Sequence, residues 1–78
     1  METIEVTARW DEDGQVSPLQ FRWKGTILHV EAIGRRWQDE AGLHALVKAM
    51  EGRTFELVFK PDEMKWFLGY QDQSPARV

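Results

Sequence analysis

Between Leu19 and Val30, apolar and polar residues alternate on both sides of a Lys24-Gly25 pair, the pattern of an antiparallel hairpin. Leu19, Phe21 and Trp23 alternate with Gln20, Arg22 and Lys24, and the β-rich run Thr26–Val30 follows the glycine. A two-residue loop at Lys24-Gly25 pairs Trp23 with Thr26, Phe21 with Leu28 and Leu19 with Val30 on one face. Arg22 then opposes Ile27 and Gln20 opposes His29 on the other, so Ile27 is left as an apolar side chain on the solvent side.

The same period of two runs through the rest of the chain. Ile4, Val6, Ala8 and Trp10 alternate with Glu5, Thr7 and Arg9 in a first strand, which Asp11-Glu12-Asp13-Gly14 ends with turn residues. Gly34 predicts a bulge or bend before Arg35-Arg36-Trp37. Thr54–Phe59 reads as a strand, Lys60-Pro61-Asp62-Glu63 as a turn, and Met64–Tyr70 as the last strand. With 78 residues there is room for one core, so 1–72 is expected to be a single β domain and 73–78 a flexible C-terminal tail. A chain this short relies on a few large side chains, and four Trp and four Phe supply them.

Residues 43–51 support two readings. Leu43, Leu46, Val47 and Met50 stand at helical spacing, with Asp39 placed to start a helix and Gly52 to end it. Alternatively Leu43, Ala45, Val47 and Ala49 form the inner face of a strand. A Met50-Glu51-Gly52 loop then pairs Val47 with Phe55, Ala45 with Leu57 and Leu43 with Phe59.

Several function classes lose their chemical basis. The absence of Cys removes thiolate nucleophiles, disulfides and sulfur-based zinc sites, and fits a reducing, cytoplasmic setting. No apolar run spans a bilayer and no basic-then-apolar leader opens the chain, so no membrane association is expected. Asp11, Asp13 and Gly14 echo the start of a calcium loop, but Val16, Ser17, Pro18 and Leu19 follow where later ligands belong. His29 and Glu31 on one strand with His44 on another fall short of a zinc set, so neither a metal nor another cofactor is expected. The serines sit beside prolines, outside any nucleophile motif, and no phosphate-binding glycine loop is present. An enzyme is therefore not expected.

Two surfaces remain as candidates. Ile27, Leu46, Val58 and Phe67 are each out of phase with the inner residues of their own strands, and a contiguous apolar patch of this kind marks a partner surface, often a second copy of the chain. Arg22, Lys24, Arg35 and Arg36 lie near Trp23 and Trp37, the mixture of cation and aromatic that single-stranded nucleic acid exploits. Against that, the formal net charge is −3, so any positive field is local.

Taken together, Trp10-Asp11-Glu12-Asp13-Gly14, Phe21-x-Trp23-x-Gly25 with Val30, Ile33 and Arg36-Trp37, Gly52-Arg53-Thr54-Phe55-Glu56-Leu57 and Trp66-x-Leu68 resemble a family of small bacterial domains of unknown function. Those domains occur alone or joined to translesion-type DNA polymerases. The resemblance covers residues 8–70, contains no catalytic signature and departs near Ala45, where a bulkier side chain is expected. It implies that 43–50 is a strand, and hence an all-β fold: a five- or six-stranded antiparallel meander curled into a small SH3-like partial barrel. The alternative is α+β with a helix at 43–51. The expected function is a non-enzymatic protein-interaction module, a homodimer in its simplest form. The alternative is a nucleic-acid-binding accessory domain linked to DNA metabolism.

Overall fold

The computed structural model describes residues 2–71 and is all-β, with no helix among the described residues. The expected tail lies outside them. Seven strands form one antiparallel sheet: β1 (Glu2–Ile4), β2 (Val6–Trp10), β3 (Val16–Trp23), β4 (Thr26–Asp39), β5 (Gly42–Ala49), β6 (Arg53–Lys60) and β7 (Lys65–Gln71). Their order is β1-β7-β6-β5-β4-β3-β2. The count exceeds expectation because the N-terminal segment divides at Glu5. Its first half pairs with β7 and its second with β3. One short stretch of chain thus carries both edges of the meander, and the twisted sheet curls into a half-barrel between them.

The hairpin registers follow from loop length. Lys24 and Gly25, with φ of 51° and 79°, form the two-residue turn that pairs Trp23 with Thr26 and Phe21 with Leu28. Residues 43–49 are extended, with Val47 opposite Phe55, Ala45 opposite Leu57 and Leu43 opposite Phe59. Helix propensity is a weak preference, overridden here by cross-strand burial of Ala45, Val47 and Ala49 against β6. Met50, Glu51 and Gly52 all take positive φ in the connecting turn, and the Glu51 amide donates to the Glu31 carboxylate at 3.2 Å.

Phe55 is fully buried and meets Phe21 and Trp23 edge to face, with ring centroids 5.1 and 5.3 Å apart. Val47, Ala49, Leu57 and Leu68 complete the centre of the core. Leu19 is a correction: it is 47% exposed, whereas Val16 and Pro18 are buried. The β2–β3 ladder shifts between Thr7 and Ala8, pairing Thr7 with Gln20 and Ala8 with Pro18. Leu19 is therefore the unpaired bulge residue and loses the phase assigned to it. Val30 pairs with Ala49 rather than with Leu19.

Strand β4 carries the bend that makes the half-barrel. Its β3 ladder runs from Thr26 to His29, and its β5 ladder from Val30 to Asp39 with register shifts at Val30/Ala32 and Ile33/Arg36. Bulges add local twist, so the second half of β4 swings away from β3. Among the described residues, that half has no strand paired to its β3 side.

Candidate functional site

The bend sorts β4 side chains onto two faces. Trp37, opposite His44, belongs to an outer row continuing through Val58 and Phe67, whereas Arg36, opposite Ala45, belongs to the inner row with Leu57 and Leu68. Neighbouring residues of β4 thus point to opposite faces, yet Arg36, Trp37 and Gln38 all line one cleft at the end of the sheet.

On the outer face, His44 is buried and clamped by two carboxylates. Its Nδ1 lies 2.5 Å from a Glu56 oxygen and its Nε2 2.7 Å from Asp39 Oδ1. Gly69 makes room for this arrangement: a Cβ there would approach Glu56 Cδ to 3.0 Å and Val58 Cγ2 to 3.2 Å. Asp39 does not start a helix. Its Oδ1 also accepts the Ala41 N–H at 2.9 Å, holding the β4–β5 turn. Trp37 stacks on the imidazole at 4.7 Å and 12°, and Arg35 lies over Trp37 at 4.9 Å.

Ionised carboxylates only accept hydrogen bonds, so these two contacts call for protons on both ring nitrogens. Burial opposes a charged ring, but the hydrogen bonds that the ring donates to Glu56 and Asp39 outweigh it and raise the His44 pKa above 6.5. The hydrogen bond to His44, aided by the Ala41 amide, holds the Asp39 carboxyl below 3.8. With both nitrogens engaged, the ring is arranged to cross-link three strand segments rather than to relay a proton.

The expected apolar patch is only partly assembled. Val58 and Phe67 are direct cross-strand partners and Leu46 lies on the same face, but Val58 is 0% exposed beneath its neighbours. Its outward parity was read correctly. Exposure does not follow, because His44 and Phe67 flank it and Gly69 lets the Glu56 side chain close over it. Ile27 stands apart at the β3–β4 hairpin, 37% exposed and opposite Arg22.

The basic candidates divide into two groups. Arg22 pairs with Glu5 at 3.2 Å and Lys24 lies over Trp23 at 4.8 Å, both at the β3–β4 hairpin. Arg35, Arg36 and Trp37 lie about ten residues further along β4, roughly 30 Å of extended strand before the bend is allowed for. Arg35 and Trp37 stack outside, while Arg36 reaches Ser17 of β3 in an exposed contact.

At that inner end the half-barrel opens into a cleft of about 240 Å³. Leu43, Ala45 and Trp66 provide apolar surface, and Gln15, Arg36, Trp37, Gln38 and the clamped His44 also line it. Trp66 packs on Phe59 at 5.1 Å, and Phe59 on Trp10 at 5.2 Å, so an aromatic run leads from the cleft to a tryptophan that is 49% exposed. Gly14, Gln15 and Val16, at the end of the acidic turn, form one wall. Asp11 Oδ1 accepts the N–H groups of Asp13 and Gln15, both at 2.9 Å, which commits that carboxylate to shaping the turn. A second depression of about 250 Å³ lies over the β4 bulges near Ile33 and Leu46.

Sequence reasoning placed Arg36 and Trp37 together and missed the cleft, whose walls come from residues 14–16, 36–38, 43–45 and 66. It also considered His44 only as a member of an incomplete zinc set. The available signal was Asp39 five residues before His44 across a Glu40-Ala41 turn, which brings the two together only if 42–49 is a strand. Among the described residues, no helix is long and apolar enough to cross a membrane. Comparison of the chain with protein-family models, curated proteins and solved structures finds no match.

Proposed function

We propose that this chain is a non-enzymatic interaction module that seats a bulky apolar side chain of a protein partner in the cleft at the mouth of the half-barrel. The observation that carries the reading is the cleft itself: an apolar surface of Leu43, Ala45 and Trp66 with a few polar groups converging on it. Its volume of about 240 Å³ suits one side chain better than a whole cofactor. The exposed Trp10 beside it and the unpaired side of β4 extend the surface, as a protein partner requires. The doubly engaged His44 supports the non-enzymatic reading, since its ring has no free nitrogen to offer a substrate.

Titrating isotopically labelled protein with millimolar N-acetyl-tryptophanamide, a neutral mimic of a buried aromatic residue, tests the reading. Saturable shifts at Leu43, Ala45 and Trp66 are expected. Shifts confined to Leu46 and Phe67, or none at all, would reject the cleft.

A further inference from the structure

We infer that the partner segment seated in this cleft carries a carboxylate next to its bulky apolar side chain, held by Arg36. The inference rests on the cleft reading above and adds the charge of the occupant. Arg36 stands opposite Ala45 on the inner face, and its recorded hydrogen bond is a long one, from Nη2 to Ser17 Oγ at 3.3 Å. Arg36, like Arg9, Lys24, Arg35, Lys48 and Lys65, has no carboxylate within 4.0 Å among the described residues, and of these cations it is the one that lines the cleft. A guanidinium has five N–H donors in a planar fork that matches a carboxylate, and Arg36, which lines the cleft, spends one of them on Ser17.

The surroundings narrow the choice of anion. The residues lining the cleft include no Asp or Glu, so nothing within it competes for the guanidinium. Gln15 and Gln38 supply neutral amides suited to a peptide backbone. Ala45, only 4% exposed, is the smallest side chain in its cross-strand row, and its lack of bulk beneath Arg36 lets an apolar group lie beside the charge. Asp11, Glu12 and Asp13 immediately precede the wall formed by Gly14 and Gln15, and the whole chain is acidic. A polyphosphate backbone crossing that wall meets repulsion at every phosphate, whereas a single carboxylate directed at Arg36 meets it once and gains the guanidinium as partner. The occupant is therefore an acidic-apolar protein segment and not a nucleic acid.

The test compares blocked peptides acetyl-Gly-Trp-Glu-Gly-amide and acetyl-Gly-Trp-Gln-Gly-amide, with oligothymidylate as a polyanion, by chemical-shift titration of the labelled chain. The Glu peptide is expected to bind at the cleft at least about tenfold tighter than the Gln peptide. Arg36→Gln should abolish that difference while leaving the Gln peptide's affinity unchanged, and Arg36→Lys should restore part of it. Equal affinities in the native chain would overturn the carboxylate proposal and leave the cleft reading standing. Failure of both peptides to shift Leu43, Ala45 and Trp66 would overturn both. A preference that survives Arg36→Gln, or tighter binding of oligothymidylate at the cleft, also defeats the proposal.

Discussion

His44 on β5 reaches Glu56 on β6 diagonally, not directly: its register partner is Val58, while Glu56 stands opposite Leu46, and the Nδ1–carboxylate contact of 2.5 Å spans that offset. The same ring holds Asp39 at the end of β4 through its other nitrogen. Three consecutive strands are thus tied by one imidazolium, and stability inherits its titration.

The sign of that dependence is set by two shifts. His44 is raised above 6.5, so its contribution is complete below about pH 6.5 and is lost as pH climbs through the folded-state value. Asp39 is lowered below 3.8, so its contribution is present above about pH 3.8 and is lost as pH falls through its folded-state value. Thermal melts should show greatest stability between these limits. His44→Gln should remove the alkaline decline, and an unchanged decline in that variant would assign it to another group.

Gly42 and Gly34 should respond oppositely to alanine. Gly42 has φ 140°, and a Cβ there would overlap the Phe59 carbonyl oxygen and approach its carbon to 3.0 Å. Backbone strain alone costs about 1–3 kcal/mol, and the clash adds to it. At Gly34 the nearest atom is the Leu46 carbonyl oxygen at 3.7 Å, an ordinary contact. Urea titration should show a large loss for Gly42→Ala and a change within about 0.5 kcal/mol for Gly34→Ala.

Val58→Thr should destabilise the fold rather than alter association. The side chain is fully buried, and a hydroxyl placed there without a partner costs about 1–3 kcal/mol. The combined change of Leu46, Val58 and Phe67 to Ser, Thr and Lys should therefore appear in circular dichroism as loss of structure. A folded triple variant that sediments more slowly than the native chain would instead restore the self-association surface expected from parity.

Phe55→Ala should cost about 3–5 kcal/mol, since it removes the ring on which both Phe21 and Trp23 pack. That is a large share of what a domain this small can hold, so the variant should be substantially unfolded at room temperature by near-ultraviolet circular dichroism.

Alternation and turn length determined the register of the first hairpin, down to Phe21 opposite Leu28, because a period of two admits no small error without turning the core outward; for 43–51 they offered Val47 opposite Phe55 beside a helical reading. Inner and outer parity was equally legible, and it placed Val58 and Phe67 on one face. What parity cannot express is which outward residues are later covered, or where a bulge shifts the phase, as at Leu19. Those depend on neighbours from other strands: Gly69 admitting Glu56, and β2 slipping between Thr7 and Ala8. The cleft joins Gly14, Arg36, Ala45 and Trp66, and the clamp joins Asp39, His44 and Glu56. Both exist only once β4 bends at its two bulges and the N-terminal segment holds the edges of the curled sheet. Local pattern sets each ladder, but the angle between ladders arises from packing and decides what meets at the mouth of the half-barrel.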